Sequence, residues 1–135
     1  MTIKTVYEGE LRTKAMHLKS GEIIITDAPP DNHGKGEAFS PTDLLCASLG
    51  SCMLTIAGIA ARTHGFNIDN TQLNITKIMA NDPRRVAEVI CEFRFPHNQY
   101  SLKEKLIIER SIHSCPVSKS LHADLKQTVI IHFTE

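Results

Sequence analysis

"FSPTDLLCASLGSCMLTIAGIAARTHG", residues 39–65, is the stretch around which the rest of the chain has to be arranged. Ser40 precedes Pro41, and Asp43 stands three residues after Ser40. Serine as N-cap, proline at the first helical position and an acid at the third make a helix start resembling a capping box. The pattern predicts a helix from Pro41 to about His64, ended by Gly65 in the left-handed conformation. No charge falls between Leu44 and Ala61. That run reaches the lower limit for a membrane span. Its interior, however, holds Ser48, Gly50, Ser51, Cys52, Thr55 and Gly58, and the flanking chain is strand-rich. A helix apolar all round is otherwise a core helix, and no membrane partner is expected.

Upstream, residues 2–26 read as short strands. "IKTVY" and "GEIIIT" carry the β-branched residues, "KAMHL" lies between them, and Gly9 and Ser20-Gly21 mark turns. Residues 27–39, "DAPPDNHGKGEAF", have two prolines, two glycines and no apolar rhythm, and read as a functional loop. Downstream, two strands flank a turn at Asn81-Asp82-Pro83. In the second, Ala87, Val89, Cys91, Phe93 and Phe95 alternate onto one face. Ser101 and Glu104 form another capping box, a short helix starts near Ser114, and "KQTVIIHF" closes the chain as a strand. Clustered strands with separated helices indicate an α+β fold. The length of 135 residues suits a single domain, residues 1–135.

Lys+Arg and Asp+Glu both total 15, with no block of like charge, which argues against a nucleic-acid partner. The start "MTIKTVYEGELRTKAM" lacks a basic region followed by an apolar one, so a cytoplasmic location is expected. The four cysteines are then reduced at rest. They contain no CxxC pair, and His113, Cys115 and Cys52 lack a fourth ligand, so no metal is expected.

Cys91, on the apolar strand face, and Cys46, among Leu44, Leu45 and Ala47, read as packing. Cys52 borders a polar stripe formed by Ser48, Ser51 and Thr55 at positions i, i+3 and i+7 of the long helix. Cys115 lies in "SIHSCPVSKSL", residues 111–121. With Ser114 as N-cap, Cys115 falls at the first helical position and Pro116 at the second. There the thiol faces free backbone N–H groups and the positive end of the helix dipole. Lys119 one turn on and adjacent His113 also favour thiolate, the reactive form. A capped helix start that happens to contain cysteine remains the plain alternative.

The stretch around Cys52 and "HSCPVSKSL" around Cys115 together resemble the paired signatures of the OsmC/Ohr superfamily, osmotically inducible protein C and organic hydroperoxide resistance proteins. The "SPTDLL…LGSC" form is closest to an OsmC-like branch. The resemblance implies an OsmC-like fold, with antiparallel sheets around long central helices in an intertwined homodimer. It implies a thiol peroxidase for small organic hydroperoxides: Cys52 attacks the peroxide, Cys115 resolves the sulfenic acid that results, and an external dithiol is the reductant, with no bound cofactor. Thr42, Asp43, Ser48 and Thr55 become candidate substrate contacts. Characterised members pair an arginine from the N-terminal strands with a glutamate. The arginine matches Arg12, but the glutamate position is Thr42, with Asp43 beside it engaged in capping. Arg12 is therefore expected to be held less firmly. The alternative on the same fold is a redox-sensing or small-ligand-binding module that does not turn over.

Overall fold

The computed structural model describes residues 1–134. The chain divides within its long helix into two compact units, Met1–Leu45 and Cys46–Glu135.

The first unit is an antiparallel sheet of β1 (Ile3–Gly9), β2 (Arg12–His17) and β3 (Ile23–Asp27), in the order β1-β2-β3. The β1–β2 turn places Glu10 and Leu11 at φ 51° and 63°, a left-handed pair with no glycine in it. Three contacts hold this turn. Lys35 pairs with Glu10 at 2.6 Å, the Leu11 N–H donates to the Tyr7 hydroxyl, and the Ala28 N–H donates to the Leu11 carbonyl. After β3 the chain is loop, apart from one 3-10 turn at Pro30–Asn32.

The long helix, α1, runs Pro41–Thr63. Its start is the reciprocal cap read from the sequence: the Asp43 N–H donates to Ser40 Oγ at 3.1 Å, and the Ser40 N–H donates to Asp43 Oδ2 at 2.9 Å. Gly65, at φ +76°, ends it, with the Phe66 N–H returning to the Ala61 carbonyl.

In the second unit α1 buries Cys46, Leu49, Gly50, Met53, Ala57 and Ala61, which recur at helical spacing on one face. This face lies on a sheet of β4 (Gln72–Ala80), β5 (Arg85–Phe95) and β6 (Lys126–Phe133), in the order β4-β5-β6. The approach is close at Gly50, where an added Cβ would sit 2.5 Å from Ile75 Cδ1 and 2.7 Å from Leu73 Cδ2. Val89, Cys91, Phe93 and Phe95 point into the core from β5. Ala87, expected on the same face, is replaced there by Val86. The β4–β5 register shifts at Ile78/Met79, and the extra residue moves the alternation by one.

The expectation of antiparallel sheets holds for β1–β2–β3 and for β4–β5, while β5–β6 is parallel. The cause is the connection. Between β5 and β6 the chain passes through α2 (Leu102–Ile112) and α3 (Pro116–Ser120), a crossover that returns it in the same direction. Of the helices expected to be long, only α1 is; α2 has 11 residues. α2 starts at the Ser101–Glu104 capping box read from the sequence and buries Ile108 and Ile112.

Candidate functional site

Cys52 sits half-buried on α1 between exposed Ser51 and buried Met53. Ser48, Ser51 and Thr55 form an exposed polar stripe beside it, as the spacing predicts. Thr55 closes its own hydrogen bond, donating Oγ1 to the Ser51 carbonyl at 2.8 Å. One helical turn past Cys52, Thr55 also lines an open cleft of about 540 Å³ with Ile59, Arg62, Phe66, Ile68 and Asp69.

Cys115 is fully buried. It is the N-cap of α3 and Pro116 takes the first helical position, one residue later than the sequence suggests. Proline fixes φ and lacks an N–H, so it suits the first position, and the preceding residue stays extended (φ −68°, ψ 141°). The Ser118 N–H donates to Cys115 Sγ at 3.2 Å. Ser118 is itself tied to β6: its hydroxyl donates to Gln127 Oε1 at 2.5 Å, and Gln127 Nε2 donates to its carbonyl at 3.1 Å. These bonds fix the turn that carries the thiol.

The structure brings the two signature cysteines together. The Cys52 and Cys115 side chains share a hydrogen bond, although their residues are far apart in sequence. The expected thiolate character of Cys115 does not survive burial. Desolvation pushes its pKa up, contact with Cys52 pushes the same way, and the helix-start N–H of Ser118 only partly offsets them. Cys115 rests as a thiol. Lys119 and His113, expected to help, are exposed. Cys91, read as packing, is buried, and burial pushes its thiol up to about 11.

In the first unit, Arg12 is not loosely held. It stands directly across β2–β3 from Asp27. Its Nε donates to Asp27 Oδ1 and its Nη2 to Asp27 Oδ2, both at 2.7 Å, and Nη2 also reaches Glu37 Oε2 at 3.1 Å. Asp27 is 1% exposed and receives the Glu37 N–H at 3.2 Å. Its carboxyl is held below the usual range, first by the Arg12 hydrogen bonds, and the Arg12 pKa is raised in turn, first by Asp27. Sequence reasoning missed Asp27, whose position at the end of "GEIIITD" looked like the start of a loop. The usable signal was register: a β2–β3 hairpin turning at Ser20-Gly21 puts Asp27 opposite Arg12. Thr42 and Asp43 belong to the α1 start, where Thr42 Oγ1 lies 3.1 Å from Ser40 Oγ and Asp43 is used in the cap.

Comparison with known proteins bears on the family and the fold. A family model described as OsmC-like protein matches residues 34–129. The solved structure of a candidate osmotic-stress-induced and detoxification-response protein from Psychrobacter arcticus 273-4 is 54% identical, with 98% of this chain and 96% of that one covered and a TM-score of 0.93. An OsmC-like protein from Mycoplasma pneumoniae shares the fold at 22% identity, with 98% and 96% covered and a TM-score of 0.82. An organic hydroperoxide resistance protein OsmC from Legionella pneumophila does so at 12% identity, with 97% and 96% covered and a TM-score of 0.75. No curated protein sequence matches the chain. With the family model spanning most of its length, the chain belongs to the OsmC-like family of the OsmC/Ohr superfamily.

Proposed function

We propose that this chain serves in the response to oxidative stress as a cysteine-based peroxidase of organic hydroperoxides, working in the cytoplasm as a homodimer with an external dithiol. The observation that carries the reading is the hydrogen-bonded pair of half-exposed Cys52 and buried Cys115. A detoxification-response description for the 54%-identical relative, and an organic hydroperoxide resistance name for a fold neighbour, support the same class.

The chemistry needs only the two thiols and the reductant. The Cys52 thiolate attacks the terminal oxygen of ROOH. The O–O bond breaks, Cys52 becomes sulfenic acid, and RO⁻ leaves and takes a proton to give the alcohol. Cys115 sulfur then attacks Cys52 sulfur and displaces the hydroxyl, which leaves with the thiol proton as water. The external dithiol reduces the disulfide by exchange. Partial exposure suits a group that must meet substrate. Burial suits a resolving thiol that should meet only the sulfenic acid. Arg12 is the proposed cation for the leaving oxygen. The apolar lining of the cleft past Thr55, from Ile59, Phe66 and Ile68, supports a preference for bulky organic hydroperoxides.

One equivalent of cumene hydroperoxide followed by peptide mass spectrometry should yield a Cys52–Cys115 bridge. Cys115→Ser should stop at Cys52 sulfenic acid, and Cys52→Ser should do nothing. With excess dithiol, consumption should continue for many equivalents. A halt after one equivalent would favour the sensor reading, which the hydroxyl of Thr42 at the family's glutamate position supports. Because the Cys115 pKa is raised, bridge closure should accelerate with pH beyond the ordinary thiol range, as the attacking thiolate accumulates. A closure rate that levels off below about pH 8 would contradict that assignment.

A further inference from the structure

We propose that the cleft along the C-terminal half of α1 selects hydroperoxides of long-chain carboxylic acids, with Arg62 taking the carboxylate and the acyl chain lying along the helix towards Cys52. This deepens the peroxidase reading and rests on it.

The helix lays out the track. Cys52, Thr55, Ile59 and Arg62 stand at i, i+3, i+7 and i+10 of α1, within about 80° of arc. The last three line the open cleft of about 540 Å³. Ten helical residues span about 15 Å, so Cys52 and Arg62 mark the two ends of an elongated surface. The lining between them is apolar. Ile59 is 58% exposed, on a helix whose opposite face is packed against the sheet. Phe66 and Ile68, from the segment after the helix, complete the lining. A hydrocarbon chain suits such a surface, as ligand clefts are mostly apolar with a few placed polar groups.

The charges decide what that chain must end in. Asp69 also lines the cleft, but its carboxylate already accepts from Asn67 Nδ2 at 2.9 Å. The Arg62 guanidinium is exposed and, among the described residues, takes part in no ion pair. Arginine presents a planar fork of donors that matches a carboxylate. A ligand with an apolar body and a terminal carboxylate therefore meets both the lining and the unused charge. A neutral hydroperoxide meets the lining alone. The carboxylate lies far from the O–O bond and feels the same contact before and during the reaction, so its effect belongs in KM and not in kcat.

The experiment measures kcat and KM for linoleic acid hydroperoxide and for its methyl ester, with excess dithiol and below micellar concentrations. It compares the wild type with Arg62→Met, Arg62→Lys, Arg62→Glu and Asp69→Asn, each checked for folding by circular dichroism. The wild type should favour the acid by about fivefold through KM, the upper end of what an exposed ion pair supplies. High salt should erode that preference. Arg62→Met should abolish it, Arg62→Glu should reverse it, and Arg62→Lys, which keeps the charge, should retain part. Asp69→Asn removes the nearby negative charge and should widen it. A second arm reads binding without turnover. Cys52→Ser should bind linoleic acid in calorimetric titration, and Cys52→Ser with Arg62→Met should bind it about fivefold more weakly.

Equal KM for acid and ester in the wild type, or a preference that survives Arg62→Met, overturns the proposal and leaves the peroxidase reading standing. Failure of Cys52→Ser to bind linoleic acid, or equal binding by the double variant, overturns it as well. A wild type that consumes neither lipid nor cumene hydroperoxide removes the peroxidase reading, and the substrate assignment with it.

Discussion

The two sheets use apolar residues in opposite ways. β5 sends Val89, Cys91, Phe93 and Phe95 into one face, each at most 1% exposed, and lets Glu92 and Arg94 pair on the other. β3 carries three consecutive isoleucines, Ile23, Ile24 and Ile25, which remain 48%, 51% and 41% exposed. Among the described residues of Met1–Leu45, the buried ones are polar: Thr26, Asp27 and Ser40. One unit builds its own core. The other is organised by a half-buried ion pair, a threonine pair and caps, and its three isoleucines stay exposed. The proposed homodimer supplies a cover for them, since exposed apolar area of this kind marks association surfaces. The cysteine pair and the arginine–carboxylate pair divide along the same line, with Cys52 and Cys115 in the apolar unit and Arg12 with Asp27 in the polar one.

Truncation is the most severe way to probe this contrast. Phe93→Ala removes a fully buried ring that stacks on Phe95 and should cost about 3–5 kcal/mol in denaturant unfolding. Ile24→Ala should cost less than about 0.5 kcal/mol at dilutions where single chains prevail, as surface substitutions do. Its cost should grow with protein concentration where copies associate. Equal costs for the two at high dilution would mean that the first sheet is covered within the chain. A finer probe is Gly50→Val on the helix–sheet contact. Its side chain would press on Ile75 and Leu73, and overpacking of this kind costs about 1–3 kcal/mol. Gly50→Ala should cost less, because two terminal methyls can give way and alanine regains about 1 kcal/mol of helix propensity.

The caps come next in size. Ser101→Ala breaks a complete capping box on a helix held by little more than Ile108 and Ile112, at a cost of about 1 kcal/mol. Ser40→Ala removes the same device from α1. There it should also loosen Thr42, whose hydroxyl shares the Ser40 contact. If both serines proved silent in thermal melts, packing rather than capping would be setting the helix starts.

These elements differ in how far the chain itself announced them. The caps, Gly65 and the polar stripe beside Cys52 are local, so residue type and spacing specify them. The β5 alternation was legible for the same reason, and failed only at Ala87, where a register shift belongs to the pair of strands and not to one of them. The proximity of Cys52 to Cys115 came from a family resemblance, because no local pattern encodes a contact across so many residues. Asp27 was missed although its register was inferable, since a single acid after an isoleucine run carries no sign that it will be buried. The net acidity of Cys115 was misjudged because the helix-start N–H groups are visible in sequence and desolvation is not. The exposure of Ile23–Ile25 is equally invisible, because three isoleucines in a row have no preferred face.

A final probe, absent at neutral pH and read as a slope, tests whether the core of the second unit is as dry as the proposed sulfur chemistry requires. Cys91 is buried between α1 and the sheet, and burial raises its thiol to about 11, with Cys46 and Cys115 adding to the shift. An unfolded cysteine ionises near pH 8.5. Between those values the unfolded chain has released this proton and the folded chain has not, so stability falls as pH rises. The slope from this one group is at most about 1.4 kcal/mol per pH unit, and there is none below about pH 8. Cys91→Ala should therefore show a shallower alkaline loss than the wild type between about pH 8.5 and pH 11 in urea titrations, whatever the mutation costs at neutral pH. Parallel slopes for the two proteins would mean that water reaches Cys91. The same water would then reach Cys115, whose proposed role as a protected resolving thiol depends on its exclusion.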